Sequence, residues 1–525
     1  MLQRRRNGGD AGGQACFPRQ RILRYIGAVG NPRGRRMLFE ALLTNARERP
    51  QETAVEDDFG AHSYSELAAA ATGLGRYLAA QTDRPHVGIM LPPGAAFVAS
   101  FYGVLLSGKS VVPLNYLLGD KEIQHVIQDS GVDTVLTMPA LAGRLKDLPL
   151  KIVDVLELPR QPAVMEPKDA GRQPDDLAVL MYTSGTSGLP KGVMLTYGNL
   201  HSDVQACIEH ADLRRQLVFL GIIPLFHAFG MTATMLAPMA LGAKVVYLAR
   251  FGATAALEAI RRHGVSIVFG VPSMYGAMLR ADSASPADFR DMFALISGGE
   301  ALPEAVRLGF ERRLGVTIHE GYGLTETSPV VSLNTPAAHR PGSVGRTIPG
   351  ACVRVADDEG RPLPAGSEGE IWIRGPMVMK GYYNLPQETA AAFTPDRFFR
   401  TGDLGKMDAD GYLYITGRKK ELIICAGEKV SPREVEDVLV RHPGVAEAAV
   451  VGRKDEMRGE AVVAFVVPHE QAKLDAESIR RFCRDSGLAG FKIPREVIIA
   501  SELPRSPTGK LLKRVLVQMV SQRPA

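Results

Sequence analysis

Leu177-Ala-Val-Leu-Met-Tyr-Thr-Ser-Gly-Thr-Ser-Gly-Leu-Pro-Lys-Gly192 joins two unlike halves. Leu177–Met181 is an unbroken apolar run, the pattern of a strand buried on both faces. From Thr183 the chain turns to hydroxyls and glycines: Thr183, Ser184, Gly185, Thr186, Ser187 and Gly188, followed by Leu189-Pro-Lys191-Gly. Glycine lets backbone N–H groups turn toward an anion, while the hydroxyls and the Lys191 ammonium add donors and charge. Such a loop suits a triphosphate. It lacks the G-x-x-x-x-G-K-[ST] spacing and so is not a Walker A loop. Taken alone it could equally be a flexible Ser/Gly turn, so the surrounding sequence decides.

Outward from this loop the chain repeats one grammar. His86–Leu91 reads as a strand, Gly94–Ser107 as a small-residue helix and Ser110–Pro113 as another strand. Val265–Phe269 with Pro272–Arg280 repeats it, as does Phe293–Ser297 with Pro303–Leu314 and Val316–His319. Earlier, Phe39–Arg47 and Ser65–Gln81 read as helices, the second capped by Ser63 or Ser65. Apolar strands alternating with helices predict an α/β fold, with parallel sheets covered on both faces. Beyond about residue 340 Gly and Pro become dense, and Cys352–Ala356 and Glu370–Arg374 read as antiparallel strands of a small β-barrel. After Gly417 the charged Arg418-Lys-Lys-Glu421 leads into Leu422–Ile424, a helix at Pro432–Val440 and a strand at Ala446–Gly452, a small α+β domain. The expected division is a leader at 1–36, a large domain at 37–417 with its barrel from about 340, and a mobile C-terminal lid at 418–525.

The 525 residues carry a net charge of +5, but residues 1–36 hold nine Arg, no Lys and only Asp10. That leader alone is +8, so the remaining chain is at −3 and no nucleic-acid role is expected of the folded body. A poorly ordered tail, an Arg-rich targeting peptide and an upstream start are three open readings of the leader. No apolar run reaches the ~18 residues of a membrane-spanning helix, which leaves peripheral membrane contact open. Five scattered cysteines form no CxxC pair and no zinc spacing, and point to a reducing, cytoplasmic compartment. Oligomeric state is not legible.

Further segments follow the hydroxyl-rich loop in order: Ser297-Gly-Gly-Glu-Ala-Leu-Pro303, Glu320-Gly-Tyr-Gly-Leu-Thr-Glu326, Arg400-Thr-Gly-Asp403, Gly417-Arg418 and Pro504-Arg-Ser-Pro-Thr-Gly-Lys510. Together they resemble the adenylate-forming superfamily of acyl-CoA synthetases, peptide-synthetase adenylation domains and luciferases, from Met37 to the C-terminus. The resemblance implies ATP, Mg²⁺ and coenzyme A as cofactor and co-substrates. It implies that Gly298, Gly299 and Glu300 line the adenine, that Tyr322 with Gly323 stacks on it, and that Thr325 meets the α-phosphate. Glu326 would hold Mg²⁺ with Thr186, since a hard cation wants oxygen ligands. Asp403, which can accept two hydrogen bonds, and Arg418 would bind the ribose. Lys420 would be the hinge, Gly427 would approach the pantetheine, and Lys510 would stabilise the charge that develops between the carboxylate and the α-phosphate during adenylate formation.

The same resemblance bears on the acid. Amino-acid-activating relatives place an Asp within the segment matching Phe226-His227-Ala-Phe229; here His227 stands there, and an unpaired α-ammonium in a buried pocket would be costly. His227 resembles the residue beside the acyl pocket in fatty and aryl acyl-CoA synthetases, although a satisfied core histidine is also open. Met231–Pro238 and Phe269–Met278 offer apolar side chains and no basic cluster for a second carboxylate. The expectation is an acid–thiol ligase for a medium- or long-chain fatty acid with coenzyme A as acceptor. Its alternatives are an acyl-AMP ligase loading an acyl carrier protein and an aryl-acid ligase. No GxSxG or HExxH motif suggests a side-chain nucleophile or a zinc protease.

Overall fold

The computed structural model describes residues 38–157, 172–184, 189–455, 457–469, 472–505 and 511–522. The leader, four residues of the hydroxyl-rich loop (185–188) and Lys510 lie outside them.

Two sheets carry the large part of the chain. In the first, His86–Ile89 runs parallel to Ser110–Pro113 on one side and to Thr134–Thr137 on the other. Ser110–Pro113 then pairs in parallel with Leu177–Ser184. In the second, Lys244–Tyr247, Val218–Gly221, Ile267–Gly270, Ala294–Ser297 and Ile318–Gly323 lie side by side, all parallel. Most of these strands are four residues long, mainly apolar and buried; Leu177–Ser184 and Ile318–Gly323 are longer and turn polar and less buried toward their carboxyl ends. Helices connect them, and the sequence shows why they begin where they do. Ser63 caps Tyr64–Gln81 by accepting the Glu66 N–H at 3.2 Å while the Glu66 carboxylate takes the Ser63 N–H at 2.8 Å. Pro272 opens Pro272–Arg280, where its missing N–H costs nothing.

Each sheet breaks its parallel pattern next to the same cleft. Leu177–Ser184 is one arm of a hairpin whose other arm, Pro190–Thr196, runs antiparallel and sets Thr183 opposite Lys191. Ile318–Gly323 is followed by Val330–Leu333, also antiparallel. The expected Pro303–Leu314 helix is split, α-helical over Glu304–Gly309 and wound more widely as a π-helix over Phe310–Leu314.

Cys352–Ala356, Gly369–Arg374, Phe399–Met407 and Leu413–Arg418 form an antiparallel sheet in chain order. Its last strand hooks onward, since Val344 N–H donates to Leu413 O at 2.8 Å and Leu413 N–H to Gly345 O at 2.9 Å, beside Arg346–Thr347. After Arg418 the chain enters a separate sheet of Glu428–Val430, Ile423–Cys425, Gly459–Pro468 and Val445–Asp455, with Glu496–Ile499 paired in parallel on Gly459–Pro468. Pro432–Leu439 and Ala476–Asp485 bury their apolar stripes against it. No helix among the described residues is long and apolar enough to cross a membrane.

Candidate active site

In an open α/β sheet, ligands gather outside the carboxyl ends of the strands. Here those ends converge on one cleft of about 1830 Å³. Its walls include Thr183 and Lys191 of the hairpin, Ser297 to Glu300, Gly321 to Glu326, Asp403, Arg418 and Lys420. Segments far apart in sequence thus share one space: Thr183, Ser297 and Tyr322 stand at the carboxyl ends of strands of the two large sheets, and Asp403 and Arg418 come from the antiparallel sheet.

Asp403 anchors one end. It is buried; its Oδ2 accepts the Tyr322 hydroxyl at 2.7 Å, and its Oδ1 accepts the Arg418 Nε–H at 3.1 Å. Strand register makes this possible, for Asp403 lies directly opposite Arg418. Burial, helped by the Asp403 carboxylate, pushes the Tyr322 phenol far above its ordinary value, so it remains a donor. Each Asp403 oxygen keeps a further lone pair.

Glu326 stands at the other end in the short 3₁₀ turn Thr325–Thr327. Burial raises its carboxyl above the ordinary range. The Tyr382 hydroxyl donates to its Oε1 at 2.9 Å, and the Met379 N–H donates to its carbonyl oxygen at 2.8 Å. Gly323, just before this turn, has no alternative: a Cβ there would lie 1.7 Å from Pro329 O. Gly299 has φ +85°, a left-handed backbone that glycine adopts without strain. The turn that contains it is held by the Leu302 N–H, which donates to Glu320 Oε1 at 3.2 Å.

The donor set fits magnesium. Among the described residues no group of three or more His, Cys, Asp or Glu could enclose a metal. One half-buried carboxylate, Glu326, beside a threonine hydroxyl at Thr325 suits a hard cation whose remaining ligands are phosphate oxygens and water. Thr183 faces Lys191 across the hairpin, and the Lys191 Nζ lies 5.8 Å from the Tyr382 ring centroid. Tyr182, the residue before the loop, donates to Asp129 Oδ2 at 2.6 Å. Gly185, Thr186, Ser187 and Gly188 fall outside the described residues, and of Ser184 only the backbone is described.

The start of the C-terminal helix Lys513–Ser521 and the residues just before it also meet the cleft. The Leu511 N–H donates to Glu300 Oε1 at 3.1 Å, and Leu512 and Arg514 join the lining. Lys510 itself lies outside the described residues. Lys420 sits where the strand Leu413–Arg418 gives way to the turn Lys419–Glu421, and burial lowers its ammonium below the usual lysine range. Gly427, at φ +85° in the tight turn between Ile423–Cys425 and Glu428–Val430, does not line the cleft. Its neighbour Lys429 pairs instead with Asp358 at 2.8 Å. His227 precedes the helix Ala228–Met231 on the cleft wall, its ring 4.8 Å from that of Phe226.

The same cleft has apolar lining from the end of Tyr197–His210 and the residues just after it, from the π-helical Thr232–Leu236 with its continuation, and from the strand Val330–Leu333. Cys207, Ala211 and Leu213 come from the first, Ala233 and Ala237 from the second, and Val330 and Leu333 from the third. Tyr382, Tyr182 and Asp129 escaped the sequence reading as site residues. Tyr382 sits in the aromatic pair Tyr382-Tyr383 directly after Gly381, which was the available signal.

The model of the AMP-binding enzyme family matches residues 42–383, and that of the AMP-binding enzyme C-terminal domain matches residues 434–510. The chain belongs to this family. A sulfoacetate–CoA ligase of Cupriavidus necator is 38% identical over 483 residues, covering 88% of this chain and 93% of that protein. A long-chain-fatty-acid–CoA ligase of Bacillus subtilis is 34% identical, covering 91% of this chain and 94% of that protein. The crystal structure of ATP-bound MatB from Rhodopseudomonas palustris superposes with a TM-score of 0.85 at 29% identity, covering 92% of this chain and 99% of that one. The protein is an AMP-forming acyl-CoA ligase that uses ATP, Mg²⁺ and coenzyme A.

Proposed function

We propose that the acid is a medium- or long-chain fatty acid, activated as its acyl-adenylate and passed to coenzyme A. The apolar part of the cleft lining carries this reading, in which it forms an arm for the acyl chain: Cys207, Ala211, Leu213, Ala233, Ala237, Val330 and Leu333 offer small apolar walls. Moving a chain into such walls gains about 0.8 kcal/mol per buried CH₂. A compact sulfonate, the substrate that the Cupriavidus relative is named for, would find no charge partner among those side chains. An aryl acid is the second reading, favoured by Phe229 and Phe269, which meet edge to face at 6.1 Å on the cleft wall.

In this reading Asp403 and Arg418 hold the ribose, Tyr322 and the 298–300 turn hold the adenine, and Thr325 meets the α-phosphate. Thr183 to Gly188 and Lys191 hold the departing pyrophosphate. Glu326, with Thr186, would hold magnesium, whose charge offsets that of the triphosphate oxygens. A carboxylate oxygen of the acid attacks the α-phosphorus and the bond to pyrophosphate breaks. Lys510 stabilises the negative charge that develops; its support is the docking of the adjacent Leu511 N–H on Glu300. Rotation about Lys420 then withdraws Lys510 and brings Gly427 toward the pantetheine. The thiolate sulfur attacks the acyl carbon and AMP leaves, carrying the former carboxyl oxygen. His227 borders the acyl group at the junction of arm and nucleotide.

The test is pyrophosphate release with ATP, Mg²⁺ and acids of two to eighteen carbons, aryl acids included, followed by mass spectrometry for acyl-CoA. Turnover should rise with chain length through the medium range. Turnover confined to sulfonated or two-carbon acids overturns the reading. Acyl transfer only to a carrier-protein phosphopantetheine overturns the choice of acceptor.

A further inference from the structure

Gly381–Tyr382 is a two-residue strand that adds an edge to the hairpin of Thr183 and Lys191. Gly381 lies opposite Met194, and Tyr382 opposite Val193. The pairing extends on both sides, since the Lys380 N–H donates to Met194 O at 3.0 Å and the Tyr383 N–H to Gly192 O at 2.8 Å. Next to it Asn384 Nδ2 donates to Asp129 Oδ1 at 3.2 Å, on the carboxylate whose other oxygen takes the Tyr182 hydroxyl at 2.6 Å. The strand is therefore stitched to the hairpin by backbone and to its entry residue by side chains. From this fixed base the Tyr382 hydroxyl reaches Glu326 Oε1 at 2.9 Å. The backbone repeats the link, the Met379 N–H donating to Glu326 O at 2.8 Å. On its other side the Tyr382 ring has the Lys191 ammonium 5.8 Å from its centroid, within cation–π range.

We propose that Tyr382 is a positioning residue that couples the phosphate hairpin to the magnesium carboxylate, holding Glu326 by Oε1 so that Oε2 is presented to the cation; this rests on the reading of Glu326 as the magnesium ligand. Without that bond, Glu326 must lose rotamer freedom at the moment the metal–nucleotide arrives. With it, the orientation is settled beforehand, and the same ring sets the height of Lys191 beside the triphosphate. The arrangement follows the general pattern in which outer partners orient metal-binding groups.

The experiment compares full-length wild type, Tyr382→Phe and Glu326→Gln. Tyr382→Phe keeps the ring and removes only the hydroxyl. Titration calorimetry with a non-hydrolysable α,β-methylene ATP analogue, without metal and over a series of Mn²⁺ concentrations, separates nucleotide binding from metal coupling. Tyr382→Phe should raise the Mn²⁺ concentration needed for half-maximal enhancement about tenfold, the factor a hydrogen bond to a charged group is worth, with metal-free affinity within twofold of wild type. Metal-free affinity at the wild-type level also shows that the variant is folded. A Tyr382→Phe titration indistinguishable from wild type overturns the proposal, as does an equal loss of affinity with and without metal. Glu326→Gln keeps the two failures apart. If it too leaves the Mn²⁺ dependence unchanged, the assignment of the metal to Glu326 is what fails; if it alone shifts, only the role of Tyr382 does.

Discussion

Asp403→Asn is nearly isosteric and changes the nucleotide end of the cleft by one oxygen and one charge. In the native arrangement Oδ2 accepts from Tyr322 and Oδ1 from Arg418, leaving a lone pair on each for the two ribose hydroxyls. The amide cannot turn its NH₂ toward the Arg418 guanidinium, since two donors would face each other. Its oxygen must therefore keep Arg418, and its NH₂ must face the Tyr322 hydroxyl, which can rotate to accept. One ribose hydroxyl then loses its acceptor, and the other binds a neutral oxygen instead of a carboxylate. A hydrogen bond to a charged group contributes about 1.5–3 kcal/mol and a neutral one about 0.5–1.5, so the combined loss is about 3 kcal/mol. At about 1.4 kcal/mol per factor of ten, kcat/KM for ATP should fall roughly 100-fold. Pyrophosphate release at varied ATP and saturating acid measures it, and 2′-deoxy-ATP should lose less in the variant than in wild type. A change under about fivefold, or a loss seen only in the KM for the acid, refutes the assignment of Asp403 to the ribose.

Lys510→Ala should slow adenylate formation by about 10²–10³-fold, while thioester formation from supplied acyl-adenylate stays within a few-fold of wild type; single-turnover assays of each half-reaction report this. Gly323→Ala drives a methyl toward Pro329 O, where 1.7 Å is available, so differential scanning fluorimetry should show a lowered Tm alongside lost pyrophosphate release, with about 1–3 kcal/mol of strain. Fully buried Asp203 concerns stability. Burial holds its carboxyl well above the ordinary 3.8, with only the Val330 N–H working the other way. A raised folded-state value means its contribution is fully present below pH 3.8 and is lost as pH rises from there toward the folded value. Asp203→Asn should therefore gain on wild type by up to about 1.4 kcal/mol for each pH unit in that window, visible in thermal unfolding from pH 5 to 8; parallel curves contradict it.

Much of this architecture is written in local pattern. Four-residue apolar runs such as Ser110–Pro113 and Ala294–Ser297 can only be strands covered on both faces, and Ser63 with Glu66 announces the helix that it caps. The candidate site was legible for a related reason. Gly298–Gly299 follow such a strand, Tyr322–Gly323 end the next one and Thr325–Glu326 come just after it, so a parallel sheet delivers them to one edge. What stayed hidden depends on partners distant in sequence. The strand Pro190–Thr196 begins with a Pro-Lys-Gly that reads as loop, and only pairing with Leu177–Ser184 makes it a strand. Tyr382 is an ordinary half-buried aromatic until Gly381 zips onto Met194 and brings its hydroxyl to Glu326. Asp203 sits in a helix where a carboxylate reads as solvent-facing, and only the packing of Val330 and Cys207 around it shows otherwise. The split of the Pro303–Leu314 helix into α and π segments likewise leaves no mark on apolar spacing.

The central claim is a bond between a carboxylate oxygen and the α-phosphorus, and isotope transfer reads it directly. An accepted acid labelled with ¹⁸O in both carboxyl oxygens should be turned over to completion with ATP, Mg²⁺ and coenzyme A, and the products weighed. One labelled oxygen in AMP, none in pyrophosphate and one retained in the acyl-CoA carbonyl is the predicted result. Unlabelled AMP, or label in pyrophosphate, contradicts it.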